Sequence, residues 1–193
     1  LHRAFDFCQV QRDPALAQRV VELLGEAASA RIHPERGLDH GAWGVLRPMY
    51  PEADIPVVQL GIDSRQPGAW HVALAQRLAP LRDEDVLVVA SGDIVHNLRL
   101  FDWHDPTPLP WALRFRDRVN ALIGEGNLHG GNLAALADWP ALGEDAARSI
   151  PTPEHYLPLL YALALTRSGD TLEFFNDDVI GSLSMTSLLI AHA

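Results

Sequence analysis

The run Asp85-Val86-Leu87-Val88-Val89-Ala90 is apolar throughout after its first residue and stops abruptly at Ser91-Gly92. A short run of this kind, with no polar alternation, predicts a strand covered on both faces. Just before it, Trp70, Leu74, Leu78 and Leu81 recur at helical spacing, so Trp70 to Leu81 reads as an amphipathic helix. Ahead of that helix, Asp54 to Ile62 is a second β-rich run, bounded by Pro51 and by Ser64 to Gly68. Pro56 inside it marks an edge or a strand start. Strand, helix and strand in succession predict an α/β fold: a single domain over residues 1–193 with a central, mostly parallel or mixed β-sheet flanked by helices. Ligands of such sheets gather beyond the carboxyl ends of the strands, and His96 follows directly after one.

The remaining elements fit that frame. Asp13 and Pro14 form an N-cap and first position for a helix carrying Leu16, Val20, Leu23, Leu24 and Ala27. Leu109 to Ile123 reads as an amphipathic helix, and Asn132 to Trp139 as a short one. Thr152-Pro153 starts another, but Pro158 is excluded from a helix interior. His155 therefore sits on a first turn or irregular lead-in, with the helix proper over 158–166. Thr171 to Phe175 and Leu183 to Ile190 read as strands around the turn Asn176-Asp177-Asp178.

Composition narrows the function classes. A chain of 193 residues, 48% hydrophobic and 21% charged, is an ordinary globular composition. A net charge of −10 lacks the clustered cations that nucleic acid or an anionic membrane surface requires. No apolar run approaches the ~20 residues of a membrane span. The one cysteine, Cys8, excludes an internal disulfide and suits a reducing compartment, so the expected localisation is cytoplasmic.

Chemistry concentrates in the histidines. Of nine, His33, His71, His104, His129 and His192 read as surface or structural residues and His2 as part of a frayed end. His40, His96 and His155 each lie beside Gly, Pro or Asn at the edge of an expected element. His40 falls in Gly37 to Pro51, whose glycines, prolines and aromatics read as a tightly packed loop rather than a helix. Taken one at a time, each is an ordinary loop histidine. Taken together, they form a candidate metal or acid/base set, and a three-histidine zinc hydrolase is one reading of it.

Three segments carry a further signal: Gly37 to Pro51, Ser91-Gly92-Asp93-Ile94-Val95-His96-Asn97-Leu98-Arg99, and Pro151-Thr152-Pro153-Glu154-His155-Tyr156-Leu157-Pro158-Leu159-Leu160. In this order they resemble motifs of the class III extradiol ring-cleaving dioxygenases, specifically the 4,5-DOPA dioxygenase-like branch. With the run Ile55 to Leu60 they are spread over most of the chain, from Gly37 to Leu160. The resemblance implies a metal-dependent oxidoreductase that opens a catechol-type aromatic with O2, using Fe(2+) for activity, with Zn(2+) as another ion the site would hold. An open-sided Fe(II) centre suits that reaction because it accepts the catecholate and O2 together. Histidine suits the proton transfers, with an unperturbed pKa of about 6.5.

The resemblance also implies roles. His96 corresponds to the acid/base histidine, although some descriptions of the branch place it on the metal. His155 corresponds to the third metal ligand, with Glu154 the rival for that place. His40 corresponds to a second active-site histidine that orients substrate or O2. Asp39 would fix the tautomer of His40 by accepting a hydrogen bond. Asn97 is either a substrate-binding residue or a turn residue. Phe5-Asp6-Phe7 resembles a family segment that normally lies well inside the protein, after a region supplying two histidine ligands. The expectation is therefore a truncated chain, or the resolved part of a longer one. Two readings of the Trp and Pro residues around Trp103 to Trp111 stay open, an interface in a homo-oligomer or a lid over the site. A non-catalytic binding protein on the same fold is the last alternative.

Overall fold

The structure is a computed structural model that describes residues 13–124 and 132–192. His2, Phe5-Asp6-Phe7, Cys8 and His129 lie outside the described residues. The chain forms two compact units, one ending at Gly61 and the other beginning at Ile62.

In the first unit, helix α1 spans Pro14–Leu24 and starts as the sequence predicts: Asp13 Oδ1 accepts the Leu16 N–H at 2.8 Å. The stretch from Gly37 to Pro51, expected as a loop, instead contains helix α2, His40–Met49. The cause is a cap. Asp39 is extended (φ −79°, ψ 175°) and its Oδ1 accepts the Ala42 N–H at 2.9 Å. A good N-cap contributes about 1 kcal/mol, offsetting a helical glycine. Pro48 lies one residue from the end of α2, where its missing N–H removes a bond from a fraying turn rather than from the middle. Residues 54–62 have no ladder partner among the described residues, so the predicted strand is absent here. Gln59 ties that segment to α2 instead. Its Oε1 accepts the Asp39 N–H at 2.9 Å and its Nε2 donates to Asp39 Oδ2.

The second unit is helical at its centre. Helix α3 spans Gly68–Gln76, shorter than predicted, and passes into a 3₁₀ turn at Ala79–Asp83 because Pro80 cannot extend an α-helix interior. Helices α4 (Pro110–Gly124), α5 (Leu133–Ala137), α6 (Glu144–Ser149) and α7 (Leu157–Ala164) follow. α3 packs on α7, α4 on α6, and α5 touches α3, α4 and α7. Phe115, Val119 and Ile123 enter the core from one face of α4, and Leu157, Leu160 and Leu163 from α7.

The β-structure is antiparallel. Strand β1 (Asp170–Phe175) pairs with β4 (Ser187–His192) from Asp170 opposite His192 to Phe175 opposite Ser187. Strands β2 (Val179–Ile180) and β3 (Leu183–Ser184) form a small hairpin. The predicted strand over 183–190 is thus interrupted near Met185, whose N–H turns to Asp178 O. The fold is α/β, but the described residues form two two-stranded antiparallel sheets and not the expected central parallel or mixed sheet. The run Asp85 to Ala90, expected as a buried strand, is not one: it pairs with no strand among the described residues, and Leu87 is 65% exposed. An apolar run promises burial only if neighbours flank it, and these residues supply none.

Trp103 and Trp111 part company. Trp111 is buried in α4, whereas Trp103 is exposed with its ring edge-on to Phe101. The backbone between them is pinned: Gly181 N donates to Pro106 O at 2.9 Å and Leu109 N to Gly181 O at 2.9 Å. No helix among the described residues is long and apolar enough to cross a membrane.

Candidate active site

Two segments of the second unit meet at the site. The first, residues 93–97, bends at Ile94 and Val95 and is laid against the β2–β3 hairpin. Ser184 N donates to Val95 O at 3.0 Å, Val95 N to Ser184 Oγ at 3.0 Å, and Asn97 N to Ser182 O at 3.1 Å. His96 pairs with Leu183 across an isolated bridge, and its N–H donates to Ser149 O at 2.9 Å. Ile94 and Val95 are buried, so the imidazole of His96 is presented from a rigid support.

The second segment is the 3₁₀ turn Pro153–His155 that leads into α7, with Pro158 inside the first turn of that helix. Sequence reasoning placed His155 on such a lead-in, and the geometry agrees. The two segments are joined by one backbone bond, Asp93 N to His155 O at 2.8 Å. They come this close because residue 92 is glycine. A Cβ there would stand 2.1 Å from His155 O and 3.2 Å from Pro158 Cγ.

This arrangement stacks the rings of His96 and His155, with centroids 3.6 Å apart and planes 17° apart. Asp93 completes the group: donor atoms of Asp93, His96 and His155 all lie within 4.8 Å of one another. Asp93 Oδ2 is 3.9 Å from His155 Nδ1. Burial pushes the Asp93 carboxyl above its ordinary range, and a charge on His96 opposes that shift. Burial, and then the neighbouring His96, lower His155, against a smaller upward pull from Glu154. Both effects favour the neutral imidazole, the form that binds a metal.

Two imidazoles and a carboxylate are a donor set suited to Fe(II) or Zn(II). The ring planes add a restriction. A ligating imidazole holds its ion in the plane of the ring at about 2.0–2.1 Å from nitrogen. As they stand, planes 17° apart and stacked at 3.6 Å meet only far beyond that distance, so sharing one ion would require one ring to turn. The chain's own residues therefore fit a metal as a partial ligand set.

The other expected residues are placed as follows. Glu154 accepts a hydrogen bond from Thr152 Oγ1 at 2.7 Å, and its carboxylate is not part of the three-residue cluster. Burial pushes its carboxyl upward, but the Thr152 hydroxyl and the smaller contributions from its own backbone and both histidines together hold it low. Asn97 is buried, with Nδ2 donating to Arg148 O at 2.7 Å and Oδ1 accepting Arg99 N–H at 3.2 Å. Those bonds pin a turn. In the first unit, His40 is the first residue of α2 and meets Trp43 edge-on at 5.3 Å. Asp39 directs one oxygen to the helix cap and the other to Gln59, not to His40 as the tautomer argument expected. Sequence reasoning assigned no role to Asp93. The signal was available: an ionisable residue between apolar neighbours, three positions before His96, inside a motif already singled out.

The family model of the catalytic LigB subunit of aromatic ring-opening dioxygenase matches residues 6–171. The 4,5-DOPA dioxygenase extradiol of Escherichia coli K12 is 47% identical over 180 residues, 92% of this chain and 65% of that protein. The 4,5-DOPA dioxygenase extradiol of Beta vulgaris is 34% identical over 172 residues, 88% of this chain and 62% of its own length. The crystal structure of the uncharacterized protein JW3007 from Escherichia coli K12 superposes with a TM-score of 0.83 at 45% identity, covering 93% of this chain and 73% of that one. The chain thus spans somewhat less than two thirds of the curated relatives it matches. The match runs through all three histidine motifs, and the chain belongs to the LigB family of aromatic ring-opening dioxygenases, on its 4,5-DOPA extradiol branch.

Proposed function

We propose that this chain carries the catalytic machinery of an extradiol dioxygenase that opens a catechol-type ring, DOPA-like in chemistry, beside its hydroxyls. Both atoms of O2 enter the ring-opened product. The observation that supports this reading best is the stacked pair His96 and His155, contributed by two separate family motifs. Both compact units then serve one catalytic domain acting on a small molecule in the cytoplasm.

In this reading His155 holds Fe(II), together with ligands from elsewhere in the intact protein. When bound, the ion supplies one site at which catecholate and O2 meet with their charges stabilised. His96 does proton work. Its ring stacks on His155 at 3.6 Å, which supports a place beside the same ion rather than on it. It takes the catechol proton and returns one to the departing oxygen. His40 orients substrate or O2, and Asp39 with Gln59 fixes the helix terminus that carries it. Zn(2+) would occupy the same donors without supporting the oxygen chemistry.

The test is anaerobic reconstitution of the intact protein with Fe(II), followed by a catechol or DOPA and O2. Oxygen uptake with a coloured ring-opened product is the expected result. A filled metal site that consumes no O2 with any catechol would overturn the reading.

A further inference from the structure

Asp93 is the one member of the cluster with no work assigned by the reaction as described. Its place is specific. Its backbone N–H is bonded to the carbonyl of His155 at 2.8 Å, so the residue sits on the backbone side of that histidine. Nδ1 is the ring nitrogen that faces a histidine's own backbone, and Asp93 Oδ2 is 3.9 Å from it. Nε2 points the other way. Gly92 makes the approach feasible, since any side chain there would collide with His155 O.

We propose that Asp93 is the positioning carboxylate of the metal site. On closing the present 3.9 Å separation to a hydrogen bond, it holds the proton of His155 on Nδ1 and so leaves the Nε2 lone pair for the ion. This rests on His155 being a ligand, as proposed above. The physical ground is general: a metal-bound histidine almost always donates its other ring N–H to a carboxylate, carbonyl or water, which fixes the tautomer and raises ligand basicity. Direct ligation by Asp93 is the competing geometry. It is disfavoured because it would place the ion on the Nδ1 side, in the space between the ring and the backbone link that joins Asp93 to His155. Asp93 thus acts on the reaction through His155 and touches neither substrate nor oxygen.

The experiment uses the intact protein, stripped of metal and titrated with Co(II), read by the visible d–d absorption and by ¹⁵N–¹H NMR of the histidine rings. In the wild type the His155 proton is expected on Nδ1 and the metal on Nε2. Asp93→Ala should weaken Co(II) binding by about 10–100-fold. Asp93→Asn, whose amide oxygen still accepts from Nδ1–H but carries no charge, should fall between the two and keep the tautomer. The variants are compared only where their thermal unfolding matches the wild type, and the tautomer is read on folded protein in any case. Wild-type affinity and tautomer in Asp93→Ala would overturn the proposal, as would metal on Nδ1. Wild-type affinity in His155→Ala would instead sink the ligand assignment beneath it, which makes the two failures distinguishable.

Discussion

The imidazoles of His96 and His155 lie face to face, 3.6 Å between centroids and 17° between planes. Two side chains so stacked do not aim their in-plane nitrogens at one ion, and the proposed division of labour, metal on His155 and proton transfer on His96, rests on that. His155→Ala should lose the bound metal, while His96→Gln should keep it and lose turnover. The drop in turnover is expected at about 10²–10⁴-fold, the usual contribution of a positioned proton-transfer group. Metal content after reconstitution and oxygen-electrode rates measure the two separately. Loss of metal in both variants would show that the rings rotate to share the ion.

Gly92 controls the joint between the two site segments. Gly92→Ala places a methyl group 2.1 Å from His155 O, which neither backbone can accommodate without moving. The Asp93 N to His155 O bond must lengthen or break. The expected cost is about 1–3 kcal/mol of stability, read as a lower urea midpoint. Co(II) affinity should fall in the molecules that remain folded. An unchanged midpoint would mean that the 153–155 turn yields freely.

The elements that could be read from the sequence are those whose signal is complete within a few turns. In α4, Trp111, Phe115, Val119 and Ile123 recur every four residues, and all four are buried. The 3₁₀ lead-in at His155 followed from Pro153 and Pro158, which dictate their own backbone. The misreadings needed information from farther away. The residues around His40 looked like a loop because Gly41, Gly44 and Pro48 were weighed by propensity, while the Asp39 cap, locked by Gln59 twenty residues on, decided the outcome. Asp85 to Ala90 looked like a buried strand because its apolar run was taken to imply partners. The stack of His96 on His155 joins residues from different motifs, so no local pattern contains it.

His71 is fully buried between Trp70 and Tyr161, with Nδ1 3.0 Å from the Tyr161 hydroxyl. Burial lowers its pKa, so below about pH 6.5 the unfolded chain takes up a proton that the folded state resists. Folded stability should therefore decline as pH falls from about 7 towards 5 and level off below the folded pKa. His71→Phe should flatten that slope. Tyr161→Phe, which removes only the hydroxyl, should cost about 1 kcal/mol at neutral pH and leave the slope in place. Urea unfolding at a series of pH values separates the two effects, and an equally steep slope in His71→Phe would show that other groups cause it.

Asp170 anchors the opposite end of α7 from His155. Both carboxylate oxygens accept from the Arg82 guanidinium, Arg82 Nη1 also donates to Leu165 O at 2.7 Å, and Arg167 N donates to Asp170 Oδ2 at 2.7 Å. The Asp170 side chain is only 2% exposed, so the pair is a buried one. The Arg82 hydrogen bond is the main reason the carboxyl is held down to about 2, well below the ordinary aspartate value of about 3.9. A depressed pKa stabilises the folded state fully above pH ~4, and this stabilisation disappears as pH falls towards 2. Its size is about 2 kcal/mol, from the shift itself. Asp170→Asn should therefore show a shallower loss of stability between pH 4 and 2 than the wild type. Arg82→Ala should cost more at neutral pH, about 3–5 kcal/mol, because it strands a buried carboxylate and frees the carbonyl at the end of α7. Acid titrations followed by circular dichroism, with urea midpoints at neutral pH, test both. A wild-type midpoint in Arg82→Ala would show that Arg167 alone holds the β1 start against α7.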